Sequence, residues 1–287
     1  MHLILSRKGY DSGSGGCPSP ILPGGRLCSL PIPSEDDLLL RDVRCDACSL
    51  SDVAAQLTGD VRRATSRSHL DPDLDAGARP RQPGWRPCFG QTGAAQAHLA
   101  NQGVGSGDLF LFFGWFREVE ALDGRWRYRP GAPDIHCLFG YLQVGSIYHL
   151  DDGDEAPIWA REHPHVRHAD RYRSSRSRNT LYASSQLLEL PTCAGGLLGG
   201  GVFPRYAPAL QLTAPGRSRS VWRLPDCFEP RPETQPLSYH ASAKRWSRDG
   251  EEILLTTAGR GQEFVLDCDS DPGVLDWLSE VFASARP

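Results

Sequence analysis

Five side chains able to recognise a planar ligand occur within twelve residues of this sequence: Gln91, Gln96, His98, Asn101 and Gln102. An amide offers a donor and an acceptor in one plane, and so matches the edge of a nucleobase without adding charge. His98 and Gln102 are spaced i, i+4 and share one face of a helix predicted over residues 92–102. This pattern predicts base recognition, with His98 as a candidate proton carrier. The alternative is a hydrogen-bonded polar network within the core.

A second group of candidate residues follows the first predicted strand, HLILS (2–6). Arg7 and Lys8 stand beside a loop rich in glycine and serine, so cations and backbone N–H groups can converge on a phosphate. Asp11 and Ser12 add a carboxylate, which is a candidate general base, and a hydroxyl. The residue order differs from that of a P-loop. The alternative is a turn in which Asp11 and Ser12 bond their own backbone.

The segment GRGQEFVLD (259–267) places polar residues at the mouth of a predicted buried strand. Arg260 and Gln262 are candidate substrate-binding residues, and Glu263 is a third candidate for proton transfer. An ion pair between Arg260 and Glu263 is the alternative interpretation.

Two tryptophans, Trp85 and Trp115, are candidates for stacking on a base. The strand containing Trp115 and the later segment LFGYLQVGSIYHL resemble the strand pair of PUA-like and EVE-type barrels, which bind modified or flipped bases. By that analogy Trp115, Tyr141 and Gln143 would contact the base. Aromatic strands are equally typical of an ordinary buried core.

Two groups of residues suggest metal ligands only weakly. His163, His165 and His168 lie close together, but no carboxylate or cysteine follows at ligand spacing, and Cys45-x-x-Cys48 has no second pair. We therefore assign no metal ligands from the sequence. Whether the cysteine pair or the three histidines bind an ion is left open. The sequence identifies no cofactor.

An arginine-rich segment, residues 160–178, could neutralise several phosphates of a nucleic acid. A solvated loop is the alternative. The chain as a whole carries a net charge of −4 and so offers no global attraction to nucleic acid.

Composition places the chain among soluble globular proteins, with 39% apolar and 23% charged residues in 287. The sequence contains no run of about 18 apolar residues, so it predicts no membrane span. The apolar part of the first residues is too short for a secretion signal. Nine cysteines at irregular spacing favour reduced thiols and a cytoplasmic location.

The hydrophobic pattern predicts one α+β domain over residues 1–287, with a mixed, partly closed β-sheet and flanking helices. A PUA-like or EVE-like barrel core is one form that this sheet could take. Strands are predicted at 2–6, 109–116, 136–150, 179–184, 209–213, 219–224, 252–257 and 262–267, and helices at 50–57, 92–102 and the C-terminal end.

Eight segments together resemble the third family of nucleotide-modification-associated domains, over nearly the whole chain. They are SRKGYDS, GGCPSPILPGG, the segment 84–116, FGYLQVG, NTLYAS, SVWRLP, LSYH and RGQEFVLD. The resemblance implies a role in bacterial or phage systems that modify nucleotides or DNA bases, with nucleotide or nucleic-acid ligands and protein partners in such a system. It implies no particular reaction. Residues 41–83 and the arginine-rich segment lie outside it.

We therefore expect an enzyme that acts on a nucleotide, nucleoside or nucleic-acid base. Phosphate would bind Arg7 and Lys8, Ser12 would contact the substrate through its hydroxyl, Trp85 or Trp115 would stack on the base, and Asp11, His98 or Glu263 would move protons. The residues expected to read the base or line its site are Gln91, Gln96, Gln102, Gln143, Arg260 and Gln262. The rival hypotheses are a non-catalytic reader of modified bases and a structural partner within a modification complex.

Overall fold

Strands dominate the structure, a computed structural model that describes residues 1–172, 178–191, 196–232, 234–250, 252–259 and 261–284. The strands of these residues are β1 His2–Arg7, β2 Ser19–Ile21, β3 Ile32–Pro33, β4 Arg44–Cys45, β5 Cys48–Ser49, β6 Ser68–His69, β7 Cys88–Gln91, β8 Leu109–Leu122, β9 Arg125–Tyr128, β10 Ile135–His149, β11 Thr180–Ser184, β12 Gly200–Val202, β13 Val221–Leu224, β14 Trp246–Asp249, β15 Glu252–Thr256 and β16 Glu263–Asp267. The α-helices are α1 Leu50–Thr58, α2 Gly93–Asn101, α3 Pro164–Arg167 and α4 Gly273–Ala283.

The principal sheet has nine strands within the described residues, and its main path runs β16-β1-β8-β10-β11-β7. β12 pairs with β10, while β2 and β9 pair with β8. β1 and β2 run parallel to β8, and the remaining pairs are antiparallel. Three further strands form a smaller antiparallel sheet, β13-β15-β14.

The two long central strands are buried because their sequences are apolar on both faces. In β8 the residues Leu109 to Phe113 are completely buried, and in β10 the residues Ile135 to Val144 are buried throughout. Phe89 of β7 packs edge-on against Phe110 and Phe112 of β8, with ring centroids 5.2 Å apart in both pairs. Edge-to-face packing of this kind adds to the burial of apolar area. The sheet is therefore a firm base for polar residues at its strand ends.

The predicted α+β class is confirmed, with a correction to the shape of the sheet. β16 and β7 stand at opposite ends of the main path, and the described strands do not close into a barrel. The analogy with a barrel depended only on the strands β8 and β10. An antiparallel pair of this kind occurs in open sheets and in closed barrels alike. Most predicted strands are present, but the segment 209–213 contains a short 3-10 helix, Pro208–Leu210, instead of a strand. The short strand β7 was not predicted.

One pair of cysteines contradicts the expectation that all thiols are reduced. Cys28 and Cys45 form a disulfide, with Cα atoms 5.8 Å apart, although they lie 17 residues apart in the sequence. Cys45 is therefore not available as a metal ligand together with Cys48. The pairing was not visible in the sequence because irregular cysteine spacing does not show which residues meet in space.

Candidate functional site

The loop after β1 turns sharply at Gly9. Its backbone has φ of +79°, and a Cβ atom there would lie 2.8 Å from Ser29 Oγ, so glycine is required. Farther along the loop, Asp11 Oδ1 accepts hydrogen bonds from the backbone N–H groups of Gly13 (2.8 Å) and Ser14 (2.6 Å). The loop is thus held in one conformation by its own Asx turn, as the alternative interpretation of Asp11 predicted.

This loop forms one wall of a cavity of about 300 Å³, which we call the Arg7 pocket. Its lining residues are Arg7, Lys8, Tyr10, Asp11, Ser12, Gly13, Trp115, His136, Arg219, Ser220, Thr257, Ala258 and Gly259. Five of the residues predicted from the sequence are among them. The pocket lies at the carboxyl end of β1, beside Trp115 in the middle of the longer parallel strand β8.

Two arginines give the Arg7 pocket its positive charge. Arg7 Nη2 donates to the Ala258 carbonyl (3.1 Å), and Arg219 Nη2 donates to Ser12 Oγ (3.0 Å) while its guanidinium lies 4.0 Å from the centre of the Trp115 ring. Burial lowers the pKa of both guanidinium groups. Among the described residues no carboxylate lies within ion-pair distance of either guanidinium, although the charge of Asp11, in the same pocket, opposes the effect of burial on both pKa values. An anion in the pocket would offset the remaining cost of partly burying the two cations.

His136 is a pocket residue that sequence reasoning missed. It lies opposite Trp115 in the β8–β10 pair, and the indole Nε1–H of Trp222 donates to its Nδ1 (3.0 Å). Burial, followed by the nearby charges of Arg7 and Arg219, lowers the pKa of His136 to about 3. The ring is therefore neutral near pH 7. The sequence alone does not show the pairing register between β8 and β10, and only this register places His136 beside Trp115 in the pocket.

A second polar group lies on the other face of the same strands, and we call it the Glu263 cluster: Lys8, Phe89, Gln91 and Glu263. Glu263 Oε1 accepts from Lys8 Nζ (2.9 Å) and from Gln91 Nε2 (2.6 Å). The Glu263 side chain is 0% exposed and that of Lys8 is 10% exposed. The ammonium also lies 4.4 Å from the centre of the Phe89 ring. Oε2 of Glu263 has no hydrogen-bond partner among the described residues.

The side chains of Arg7 and Lys8 thus have different partners, although both residues border the Arg7 pocket. Successive side chains of a strand point to opposite faces, so Arg7 enters the Arg7 pocket and the Lys8 ammonium reaches the Glu263 cluster. Lys8 and Gln91 converge on Glu263, whereas Asp11, Ser12 and Trp115 belong to the pocket. The predicted residues thus fall into two groups that meet at the end of β1.

Helix α2 contributes two polar residues close to the Glu263 cluster. The buried Gln96 accepts a hydrogen bond from Tyr182 Oη (3.0 Å), and His98 Nε2 lies 3.0 Å from Ser238 Oγ. Ser238 Oγ also accepts from the Val265 backbone N–H, and its hydroxyl can still either donate to His98 or accept from it. Burial lowers the pKa of His98, and the charge of Glu263 opposes this effect.

The remaining predicted residues lie outside both groups. Gln143 donates to the carbonyls of Gly107 and Glu189 and accepts from the Glu189 N–H, so backbone groups use its amide on both sides. Trp85 packs on Arg81 at 4.0 Å, in a separate groove. Gln102 caps the carboxyl end of α2, and Gln262 is exposed. Arg260 lies outside the described residues.

The arginine-rich segment is only partly described, because Arg173 and Arg176 lie outside the described residues. Arg167 forms ion pairs with Asp37 and Glu162, and Arg171 pairs with Asp36. These two arginines are thus partly neutralised by carboxylates. Phosphate binding by this segment stays a prediction.

The environment of Gln96 and Gln102 predicts different effects of the same substitution. Gln96→Glu places a charge where the residue is only 3% exposed, which should cost about 1–3 kcal/mol. That corresponds to a fall in Tm of about 2–4 °C for each kcal/mol. Gln102→Glu, at a partly exposed helix end, should leave Tm nearly unchanged and serves as the matched control. Thermal unfolding followed by circular dichroism measures both. Equal shifts in the two variants would contradict this structural role for Gln96.

Comparison with known proteins identifies a family. No curated protein and no solved structure matches the chain. None of the helices in the described residues has both the length and the apolar character needed to cross a membrane. The family model described as nucleotide modification associated domain 3 matches residues 2–267, a range that contains the Arg7 pocket and the Glu263 cluster. The chain therefore belongs to the nucleotide modification associated domain 3 family.

Proposed function

We propose that the protein is an enzyme that acts on a nucleotide, nucleoside or nucleic-acid base, and that it binds the phosphate of its substrate in the Arg7 pocket. The observation that carries this proposal is the pair Arg7 and Arg219, two half-buried guanidinium groups that face one cavity with no carboxylate of the described residues within ion-pair distance. A guanidinium binds phosphate oxygens through its planar set of N–H donors. The family adds the association with nucleotide modification.

The pocket also contains groups for the rest of a nucleotide. Trp115 and Arg219 are stacked, and a planar pair of this kind can take a base or sugar against its free side. A cavity of about 300 Å³ is at the lower end of the range for small-molecule sites. One nucleotide unit, free or flipped out of a strand, therefore fits the pocket better than a paired duplex does.

The acidic residue of the pocket favours catalysis over simple recognition. Asp11 uses Oδ1 to hold its own loop, so its carboxylate lies near the two arginines, and in the proposal its second oxygen takes the substrate proton. A general base held in place in this way typically contributes about 10²–10⁴-fold to a rate. In the proposal, Asp11 acts as this base. Lys8 and Glu263 hold the end of β1 from the opposite face.

Binding is tested with nucleoside mono-, di- and triphosphates by isothermal titration calorimetry. Loss of one hydrogen bond to a charged group costs about 1.5–3 kcal/mol, so Arg7→Ala and Arg219→Ala should each weaken binding by about 10- to 150-fold. Arg129→Ala is the control, because Arg129 is 62% exposed and pairs with Glu118. Unchanged affinity in both pocket variants would refute the phosphate site.

Catalysis is tested with Asp11→Asn, which keeps the oxygen that accepts from Gly13 and Ser14 but removes the base. Products formed from nucleotides and DNA are identified by mass spectrometry. Turnover should fall by at least about 100-fold while nucleotide affinity is kept, and the exposed Asp123→Asn should behave as wild type. If the wild-type protein converts no nucleotide or base but binds DNA with modified bases, and Trp115→Ala abolishes that binding, the protein is a reader and the enzyme proposal is wrong.

A further inference from the structure

A group of three histidines and one aspartate lies on the side of β7 that faces away from the Glu263 cluster. His69 Nε2 and His165 Nε2 each lie 3.8 Å from Asp71 Oδ2, and His163 Nε2 lies 3.2 Å from Asp71 Oδ1. Three possible ligand atoms lie within 4.8 Å of one another: one nitrogen of His69, one nitrogen of His165 and one oxygen of Asp71. The carboxylate that the histidine-rich segment lacked in the sequence thus comes from a distant part of the chain.

Hydrogen bonds fix which ring nitrogen carries the proton. His69 Nδ1 lies 2.6 Å from Asp36 Oδ2, and a carboxylate only accepts, so Nδ1 is the protonated nitrogen. His165 Nδ1 lies 2.6 Å from Asn179 Oδ1, whose amide nitrogen donates to the His165 carbonyl. The Nε2 atoms of both histidines therefore present lone pairs. In metal-binding histidines, the ring nitrogen that does not bind the metal usually donates its N–H to an acceptor of this kind.

Asp71 divides its two oxygens between two roles. Oδ1 accepts from the Gly90 backbone N–H (2.8 Å) and lies 3.2 Å from His163 Nε2. Nδ1 of His163 accepts the His165 N–H, so Nε2 of His163 is its donor nitrogen. Oδ2 faces the lone pairs of His69 and His165 at 3.8 Å, which is too long for a hydrogen bond.

With both imidazole rings neutral, three electron-pair donors converge without a proton between them. Oδ2 of Asp71 and the two Nε2 atoms would repel one another in a protein without an ion, and the side chains are only 14%, 5% and 4% exposed for His69, Asp71 and His165. Ligands about 2.0–2.1 Å from a tetrahedral zinc ion lie roughly 3.3 Å apart. To reach that spacing the two distances from Asp71 would contract by about half an ångström, and the two histidine nitrogens, which lie within 4.8 Å of each other, would approach by up to about 1.5 Å.

The backbone next to the three donors is shaped for them. A Cβ atom on Gly90 would lie 2.3 Å from ring atoms of His165, so the imidazole can occupy its position only because residue 90 is glycine. Tyr172 also stacks on the His165 ring, with centroids 4.8 Å apart. Gly90 and Tyr172 therefore both pack against this imidazole.

We propose that His69, Asp71 and His165 bind one divalent transition-metal ion, with zinc as the first choice. Two imidazoles and one carboxylate are a donor set that zinc accepts, and iron(II) and manganese(II) accept it as well. The ion joins the end of β6, the segment before β7 and helix α3. Its role is to hold these three segments together, and it is independent of phosphate binding in the Arg7 pocket.

The test uses full-length protein without a polyhistidine tag, with metal content measured by mass spectrometry. About one equivalent of metal per chain is expected. Metal-stripped protein is then titrated with zinc in competition with a chromophoric chelator, and with cobalt(II), whose visible absorption reports four-coordinate nitrogen and oxygen ligation. Zinc should also raise the Tm of the stripped protein. Wild-type protein that binds less than about a tenth of an equivalent of zinc, iron and manganese refutes the proposal.

Variants locate the ion. Asn179→Leu, which removes the acceptor behind His165 Nδ1 together with the amide donor to the His165 carbonyl, should weaken zinc binding by about 10- to 100-fold. His69→Ala and Asp71→Asn should weaken it further, and the exposed His149→Ala should keep wild-type affinity. Wild-type affinity in His69→Ala and Asp71→Asn would overturn the assignment. If a ligand variant fails to fold, the Asn179→Leu titration and the cobalt spectrum of the wild-type protein still decide the question.

Discussion

Replacing Lys8 by methionine is expected to destabilise the fold by about 3–5 kcal/mol, the usual effect of removing one partner of a buried ion pair. Methionine keeps the length of the side chain and its contact with Phe89, but it leaves the fully buried Glu263 with only Gln91 as a donor. Chemical unfolding in urea gives the free energy of unfolding of each variant.

A second substitution separates lost charge from lost packing. In Lys8→Met combined with Glu263→Gln no charge is buried, so most of the lost stability should return. Lys244→Met is the matched control, because Lys244 is the other lysine of the chain and is exposed; its effect should stay within about 0.5 kcal/mol. A single Lys8→Met variant as stable as wild type, or a double variant no better than the single one, would show that the pair is not the stabilising element.

Acid is expected to unfold the protein through two buried histidines of the core. Burial lowers the pKa of His136 to about 3 and that of His240 to about 4. Hydrogen bonds hold both rings neutral, since His136 Nδ1 accepts from Trp222 and His240 Nε2 accepts from the Ala258 N–H. In the unfolded chain a histidine takes up its proton near pH 6.5.

The sign of the pH dependence follows from where the protons bind. Between about pH 6.5 and pH 4 the unfolded chain holds protons on these histidines and the folded chain does not, so stability falls as pH falls. Each histidine should contribute close to 1.4 kcal/mol for each pH unit within this window. Above pH 6.5 both states are neutral at these sites, and the contribution to the slope vanishes.

Variants assign the slope to the histidines. His136→Gln keeps an acceptor for Trp222 but binds no proton, so the slope of unfolding free energy against pH should fall by about one proton. His149→Gln, at an exposed position, should leave the slope unchanged. Urea unfolding at a series of pH values from 4.5 to 7.5 (about three units of pH) provides the measurement. An unaltered slope in His136→Gln would mean that this ring is not kept neutral by the fold.

Long apolar segments made most of the fold predictable. The run Leu109 to Phe116 and residues 136–149 lie in strands of the structure, the second of which is buried up to Val144. At the C-terminal end Val274, Trp277, Leu278, Val281 and Phe282 form a buried helix face. The secondary structure of such segments can be predicted because a strand buried on both faces, or a helix buried along one stripe, requires apolar residues at the buried positions. β7 was missed because its four residues, CFGQ, show no periodicity, and its position depends on pairing with β11.

The candidate sites were predictable in composition but not in arrangement. The sequence identified Lys8, Gln91 and Glu263, which meet, and Arg7, Asp11 and Trp115, which line one pocket. It could not show that Arg7 and Lys8 serve opposite faces, because the end of β1 was placed one residue too early. Arg219 and the convergence of His69, Asp71 and His165 were missed for another reason. These contacts join residues that are distant in sequence, and no local spacing reports them.

The position of β1 between β8 and β16 has a consequence for synthesis of the chain. β1 can pair with β8 once the first half of the chain has been synthesised. Its other edge stays unpaired until β16 is synthesised. Lys8 and Glu263, which meet there, are 255 residues apart in the sequence. At about 5–20 residues per second, the roughly 150 residues after Phe113 take on the order of 10–30 s to emerge. During this time the open edge of β1 can pair with strands of other nascent chains. Crowded ribosomes therefore expose this protein to misassembly at the same edge that the Lys8–Glu263 pair later closes.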